Sequence, residues 1–132
     1  MQKFIAAFAL ITLTCALAAE HPAGGVTPKF AQALPNVAGK SMIAVEVKLA
    51  PGEITKPHRH AKSAFIYAYV LEGIVRSQLE GEPAKTYHVG ESWFENPGAH
   101  HVLAQNLSKT KTAKLLAIFV VDSSDKDLTT FD

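Results

Sequence analysis

From Lys40 onward the chain is a succession of short β-type runs broken by glycine and proline, and few folds accept that pattern. MIAVEVKLA, residues 42–50, alternates: Ile43, Val45, Val47 and Leu49 fall on one face, Glu46 and Lys48 on the other. Pro51-Gly52 then turns the chain. AFIYAYVL, residues 64–71, is β-branched and aromatic and ends at Glu72-Gly73. IVRSQLE runs to a turn at Gly81-Glu82-Pro83, KTYHV to Val89-Gly90, and WFE to Asn96-Pro97-Gly98. HHVLAQN and AKLLAIFVVD, the latter from Ala113 to Asp122, complete the series. No stretch keeps a helical period over three turns. Short strands at this spacing predict an all-β sandwich or barrel.

With 132 residues the chain forms one domain, long enough for a real core. The hydrophobic share of 48% and the charged share of 19% exclude a disordered chain. Thirteen basic residues against twelve acidic ones leave no cationic footprint for nucleic acid.

The N-terminus follows other rules. MQKFIAAFALITLTCALAAE has one early cation, Lys3, an apolar run from Phe4 to Leu17, and a small-residue exit at Ala18-Ala19. That is the layout of a secretory signal peptide over residues 1–19. The run is shorter than the ~20 residues of a spanning helix, so a retained anchor is the weaker reading. Cleavage removes Cys15, the only cysteine. The mature chain then has no thiol for a disulfide, a zinc cluster or a nucleophile. The expected destination is the periplasm or the outside, with no membrane attachment after cleavage. Residues 20–40, rich in Pro, Gly and Ala, are expected to be an arm. HPAGGVTP reads as extended, and FAQALPNVAGK as at most one helical turn before a loop.

The chemistry must then come from histidine, carboxylate, hydroxyl or amide groups. In a strand, residues i and i+2 share a face with Cα atoms ~6.5 Å apart. His58 and His60 can thus aim two imidazoles at one point while Arg59 faces away. Such a pair alone is equally compatible with surface histidines beside a turn. A second piece, GESWFENPGAHHVLAQN, places His100 and His101 at the head of another strand. Neighbours on a strand face opposite ways, so only one of them can join the first pair.

Taken together, these pieces resemble the two sequence motifs of the cupin superfamily. Gly52-x5-His58-x-His60, running on to YVLEG at 69–73, is similar to the first motif. Gly90 through Asn96-Pro97-Gly98-x2-His101 is similar to the second, and the likeness extends from Pro51 to Val121. The resemblance implies a double-stranded β-helix, or jelly-roll barrel, over residues 41–132, with a metal near one mouth. It implies His101 as third ligand beside His58 and His60, and His100 as the odd one out. It also implies a small-molecule ligand or substrate, and a homodimer formed through an edge strand or the arm.

The departure from the pattern is chemical. The first motif ordinarily carries a glutamate seven residues before the glycine of YVLEG, and Ile66 stands there. Ala64, Phe65 and Tyr67 offer no carboxylate either. Either three neutral imidazoles hold the metal, or the metal is lost and an apolar pocket remains. We adopt the first, since three histidines with open positions are a working ligand set. Such a site carries less negative charge and favours an anionic or enolisable oxygen ligand. Imidazole suits several ions, so Fe, Mn, Ni, Zn and Cu are not distinguished. Tyr67, Gln78, Phe94 and His100 are further candidates for the pocket wall, with Trp93 expected in the core. Glu95, near the Pro-Gly turn, is a candidate acid or base. His88 is expected to be exposed, and His21 has no visible partner. Two function classes follow: a dioxygenase- or isomerase-like metalloenzyme, or a non-catalytic periplasmic protein that binds or senses a small ligand or metal.

Overall fold

The computed structural model describes residues 24–132. The expected signal peptide over 1–19, with Cys15 and the cleavage point, lies outside the described residues, as does His21. Ten strands follow in order: β1 Gly25–Ala33, β2 Lys40–Leu49, β3 His58–His60, β4 Phe65–Glu72, β5 Val75–Leu79, β6 Lys85–Tyr87, β7 Ser92–Glu95, β8 His100–Asn106, β9 Ala113–Asp122 and β10 Thr129–Phe131. They build two five-stranded antiparallel sheets, ordered β1-β2-β9-β4-β7 and β10-β3-β8-β5-β6. From β3 on, the chain passes back and forth between the sheets, which makes the expected all-β jelly roll.

Alternation explains how the sheets close on each other. In β9 every second residue is buried: Ala113, Leu115, Ala117, Phe119 and Val121. In β4 Ile66, Ala68 and Val70 point inward. One apolar cluster gathers Leu49, Val70, Val75, Trp93 and Leu115; another gathers Val45, Ala64, Ile66, Phe119 and Val121. Full burial of a Val, Leu, Ile or Phe side chain contributes ~1.5–3 kcal/mol, so these inward rows hold the barrel together. Gly73 lets β4 turn into β5: its φ is 79°, and a Cβ there would lie 2.9 Å from the Cβ of Ala113.

One expectation fails in the arm. Residues 25–33 form a full strand, and FAQA lies within it rather than in a helical turn. β1 pairs antiparallel with β2, and Leu34 N–H donates to the Lys40 carbonyl at 2.8 Å to close the hairpin. The pairing shifts register between Pro28 and Phe30, beside the residue that has no N–H to give. All nine residues of β1 are exposed, so backbone pairing rather than burial holds the strand. No alternation marks such a strand in a sequence. The closing strand β10 was equally unmarked.

Candidate metal centre

β3 is only three residues long, yet it sets the site. His58 and His60 share its inner face, and Arg59 points out toward the Glu80 carboxylate at 3.6 Å. β3 pairs with β8 so that His58 faces His101 and Arg59 faces His100. Directly opposed residues of an antiparallel ladder project to one side. His101 therefore joins the first two histidines inside, 4% exposed, while His100 goes with Arg59. His100 Nε2 lies 2.8 Å from an Asp132 carboxylate oxygen, and its Nδ1 3.4 Å from Glu80. His58, His60 and His101 each bring a ring nitrogen to within 4.8 Å of the others. The His58 ring sits 4.9 Å from each of the other two, centroid to centroid.

Neighbouring groups orient the rings. His58 Nδ1 donates to the Lys56 carbonyl at 2.9 Å. His60 Nδ1 sits 3.0 Å from Thr129 Oγ1 and 3.2 Å from the Leu128 carbonyl, both from the C-terminal segment. With Nδ1 donating in each ring, Nε2 is left with its lone pair facing inward, the form a metal takes. His101 has Ser77 Oγ 2.8 Å from Nε2 and Glu95 Oε1 3.3 Å from Nδ1. Burial pushes His101 down to about 4, with the nearby His58 and His100 adding to it and a backbone hydrogen bond at Leu103 opposing. His60 is lowered as well, first by burial, against the opposing pull of Glu95. Both rings are thus neutral and ready to ligate near neutral pH.

The first motif supplies no carboxylate, as expected, but the site is not the all-imidazole one that followed from this. Ile66 does stand on β4 without one, but its register partner on β7 is Glu95. Glu95 is 2% exposed and lies between two of the histidines, with Oε2 3.5 Å from His60 Nε2 and Oε1 3.3 Å from His101 Nδ1. Trp93 Nε1 donates to Oε1 at 3.2 Å. The signal was parity: if Trp93 is in the core, Glu95, two residues on, faces the same way. Ser77 on β5, and Thr129 and Phe131 on β10, carried no comparable mark.

The histidines border a cavity of about 150 Å³, walled by Val45, Val47, Ile66, Ala68, Leu115 and Phe119 among others. At ~30 Å³ per water it holds roughly five waters, or a molecule of a few heavy atoms. Exposed Val26 and Phe131 also line it, so it opens to solvent there. Tyr67, Gln78, Phe94 and His100, expected as pocket wall, lie elsewhere. Tyr67 and Phe94 are register partners on the outer face, 40% and 56% exposed, and Phe94 stacks on Phe65. Gln78 donates from its amide to the Glu82 carbonyl. Inward Ser77 forces its neighbour Gln78 outward, as inward Ile66 and Trp93 do for Tyr67 and Phe94. His88 is exposed and pairs with Glu91 at 3.3 Å.

Three converging imidazoles fit a divalent ion with open positions, in a jelly roll whose mouth they border. Fold and site together define a β-barrel with a metal-grade histidine cluster. The family described as Cupin domain matches residues 45–119, and the chain belongs to it. Among curated protein sequences none matches this chain. Solved structures share the fold. The DMSP lyase DddQ from Ruegeria pomeroyi DSS-3 superposes with a TM-score of 0.63 at 18% identity, over 82% of this chain and 51% of that one. An uncharacterized conserved protein with a double-stranded β-helix domain from Klebsiella pneumoniae gives 0.63 at 12% identity, over 82% of this chain and 83% of that. A recombinant oxalate oxidase in complex with glycolate gives 0.60 at 23%, over 82% and 54%. The chain thus spans about half the length of the lyase and the oxidase.

Proposed function

We propose that this chain is an exported cupin metalloenzyme, with His58, His60 and His101 holding one divalent ion and a small oxygenated organic molecule as substrate. The carrying observation is the approach of three ring nitrogens to within 4.8 Å, from two strands far apart in sequence. The cavity beside them supports a small substrate. Similarity to a DMSP lyase and to an oxalate oxidase that holds glycolate supports the same class of ligand. Once bound, the ion supplies Lewis acidity, or a place where dioxygen is activated. The chain's own part is to hold the rings through Lys56, Leu128 and Thr129, and to exclude water with its hydrocarbon wall. Thr55 Oγ1, buried and without a partner among the described residues, belongs to a cavity-lining residue and can hydrogen-bond a substrate oxygen. The reaction is dioxygenase- or isomerase-like in this reading, and the ion is one of Fe, Mn, Ni, Zn or Cu. Residues 1–19 direct the chain to the periplasm or the outside, and it works as a homodimer.

Elemental analysis of the purified protein, joined to oxygen uptake and product analysis on diketones, phenols and hydroxy acids, tests this. The expected result is about one divalent ion per chain and turnover of a member of the panel. Absence of metal even after reloading would leave only an apolar pocket. A non-catalytic binding or sensing role is the second reading. Its support is the cavity lining, where among the described residues the only titratable side chains are the three histidines and Glu95. Stoichiometric capture of a small ligand without turnover would favour it.

A further inference from the structure

We propose that Glu95 is the fourth protein ligand of this ion, supplying from β7 the carboxylate that Ile66 does not supply from β4. The inference rests on the three-histidine reading above. Ile66 and Glu95 are opposed in the β4–β7 ladder, so both side chains start from the same inner face. Opposed Cβ atoms are ~4.5–5.5 Å apart, a distance that the length of a glutamate spans. Exchanging a carboxylate between these two positions therefore keeps it at the ion.

The second argument is electrostatic. Glu95 is almost wholly buried, and burying a carboxylate without compensation is costly. Its Oε1 has the Trp93 N–H. Among the described residues its buried Oε2 has no hydrogen-bond partner, and it lies 3.5 Å from His60 Nε2. With His60 Nδ1 donating to the C-terminal segment, Nε2 is a lone-pair atom as well. Two lone-pair atoms thus face each other at 3.5 Å, an arrangement that a cation shared by both stabilises. Metal bonds of ~2.1 Å at tetrahedral angles set two ligand atoms ~3.4 Å apart, which is this gap. Trp93 leaves Oε2 as the free oxygen, so the carboxylate binds through one atom.

The rival role is orientation alone, with Glu95 steadying His101 through Nδ1. The test strips the purified protein with chelator and titrates it with Zn(II) for affinity and Co(II) for its visible spectrum. Glu95→Gln keeps the shape and removes the ligating charge. We expect it to weaken Zn(II) binding beyond the ~10–100-fold that losing an orienting partner costs. The Co(II) bands should shift and change intensity as one protein ligand is lost. Ile66→Glu added to Glu95→Gln should recover affinity and a carboxylate-type Co(II) spectrum. An unchanged Co(II) spectrum in Glu95→Gln, whether or not affinity falls, overturns the proposal. If His101→Ala abolishes binding while Glu95→Gln does not alter it, the three-histidine site stands and only the fourth ligand is lost. If the wild type binds neither ion, the metal reading falls and this inference with it.

Discussion

His100 and His101 are adjacent and chemically identical, and the ladder assigns them different work. His101 is buried opposite His58; His100 is engaged by Asp132 and Glu80 on the outside. His101→Ala should therefore lower bound metal to background in elemental analysis, while His100→Ala keeps close to one ion per chain. Equal losses would mean that the two rings do not divide between inside and outside. The histidine spacing was legible in the residues because strand parity is local. The position of Glu95 against them was not, since it depends on which residue of β7 lies opposite Ile66. Trp93 was the clue: an inward indole implies an inward side chain two residues later.

Strand pairing decides how firmly the site is held. β10 and the residue before it, Leu128, give His60 its Nδ1 partners, and β10 sets Phe131 against the His58 ring at 5.5 Å. Truncation after Asp127 should weaken Zn(II) binding ~10–100-fold by freeing the His60 ring, with the β-type circular dichroism retained. Wild-type affinity in the truncated protein would show that β10 does not orient the ring. At the other end of the barrel Asn106 is buried; its amide contacts the Leu49, Ala50 and Lys111 carbonyls, and its Oδ1 accepts from Ser108 N–H. Asn106→Ala leaves those groups unpaired and should cost ~1–3 kcal/mol, read by denaturant unfolding. Gly73→Ala meets both a positive φ and the Ala113 Cβ, and should destabilise by ~1–3 kcal/mol in the same measurement. The buried strands were readable because burial imposes a period of two. β1 and β10, exposed throughout, carry no such period and exist because a neighbouring strand offers unpaired backbone groups.

For the whole molecule, the proposal of export makes a direct prediction: mass spectrometry of the exported protein should find a mature N-terminus near Glu20. Retention of residues 1–19 would remove export by cleavage from the reading. Light scattering should report a dimer, and a monomer at all concentrations would remove the homodimer. By itself, the sequence determined the all-β class and the His58–His60 pair, and its likeness to the two cupin motifs supplied the jelly roll and His101. Alternation and turns are properties of neighbouring residues, and the His58–His60 pair needs only one strand to converge. Tertiary structure alone decided the rest. It brought β8 against β3, set Glu95 across from Ile66 and drew the C-terminal residues back over the histidines. Each of these depends on pairing between strands distant along the chain, and hydrogen bonds between such strands leave no trace in the residues on either side.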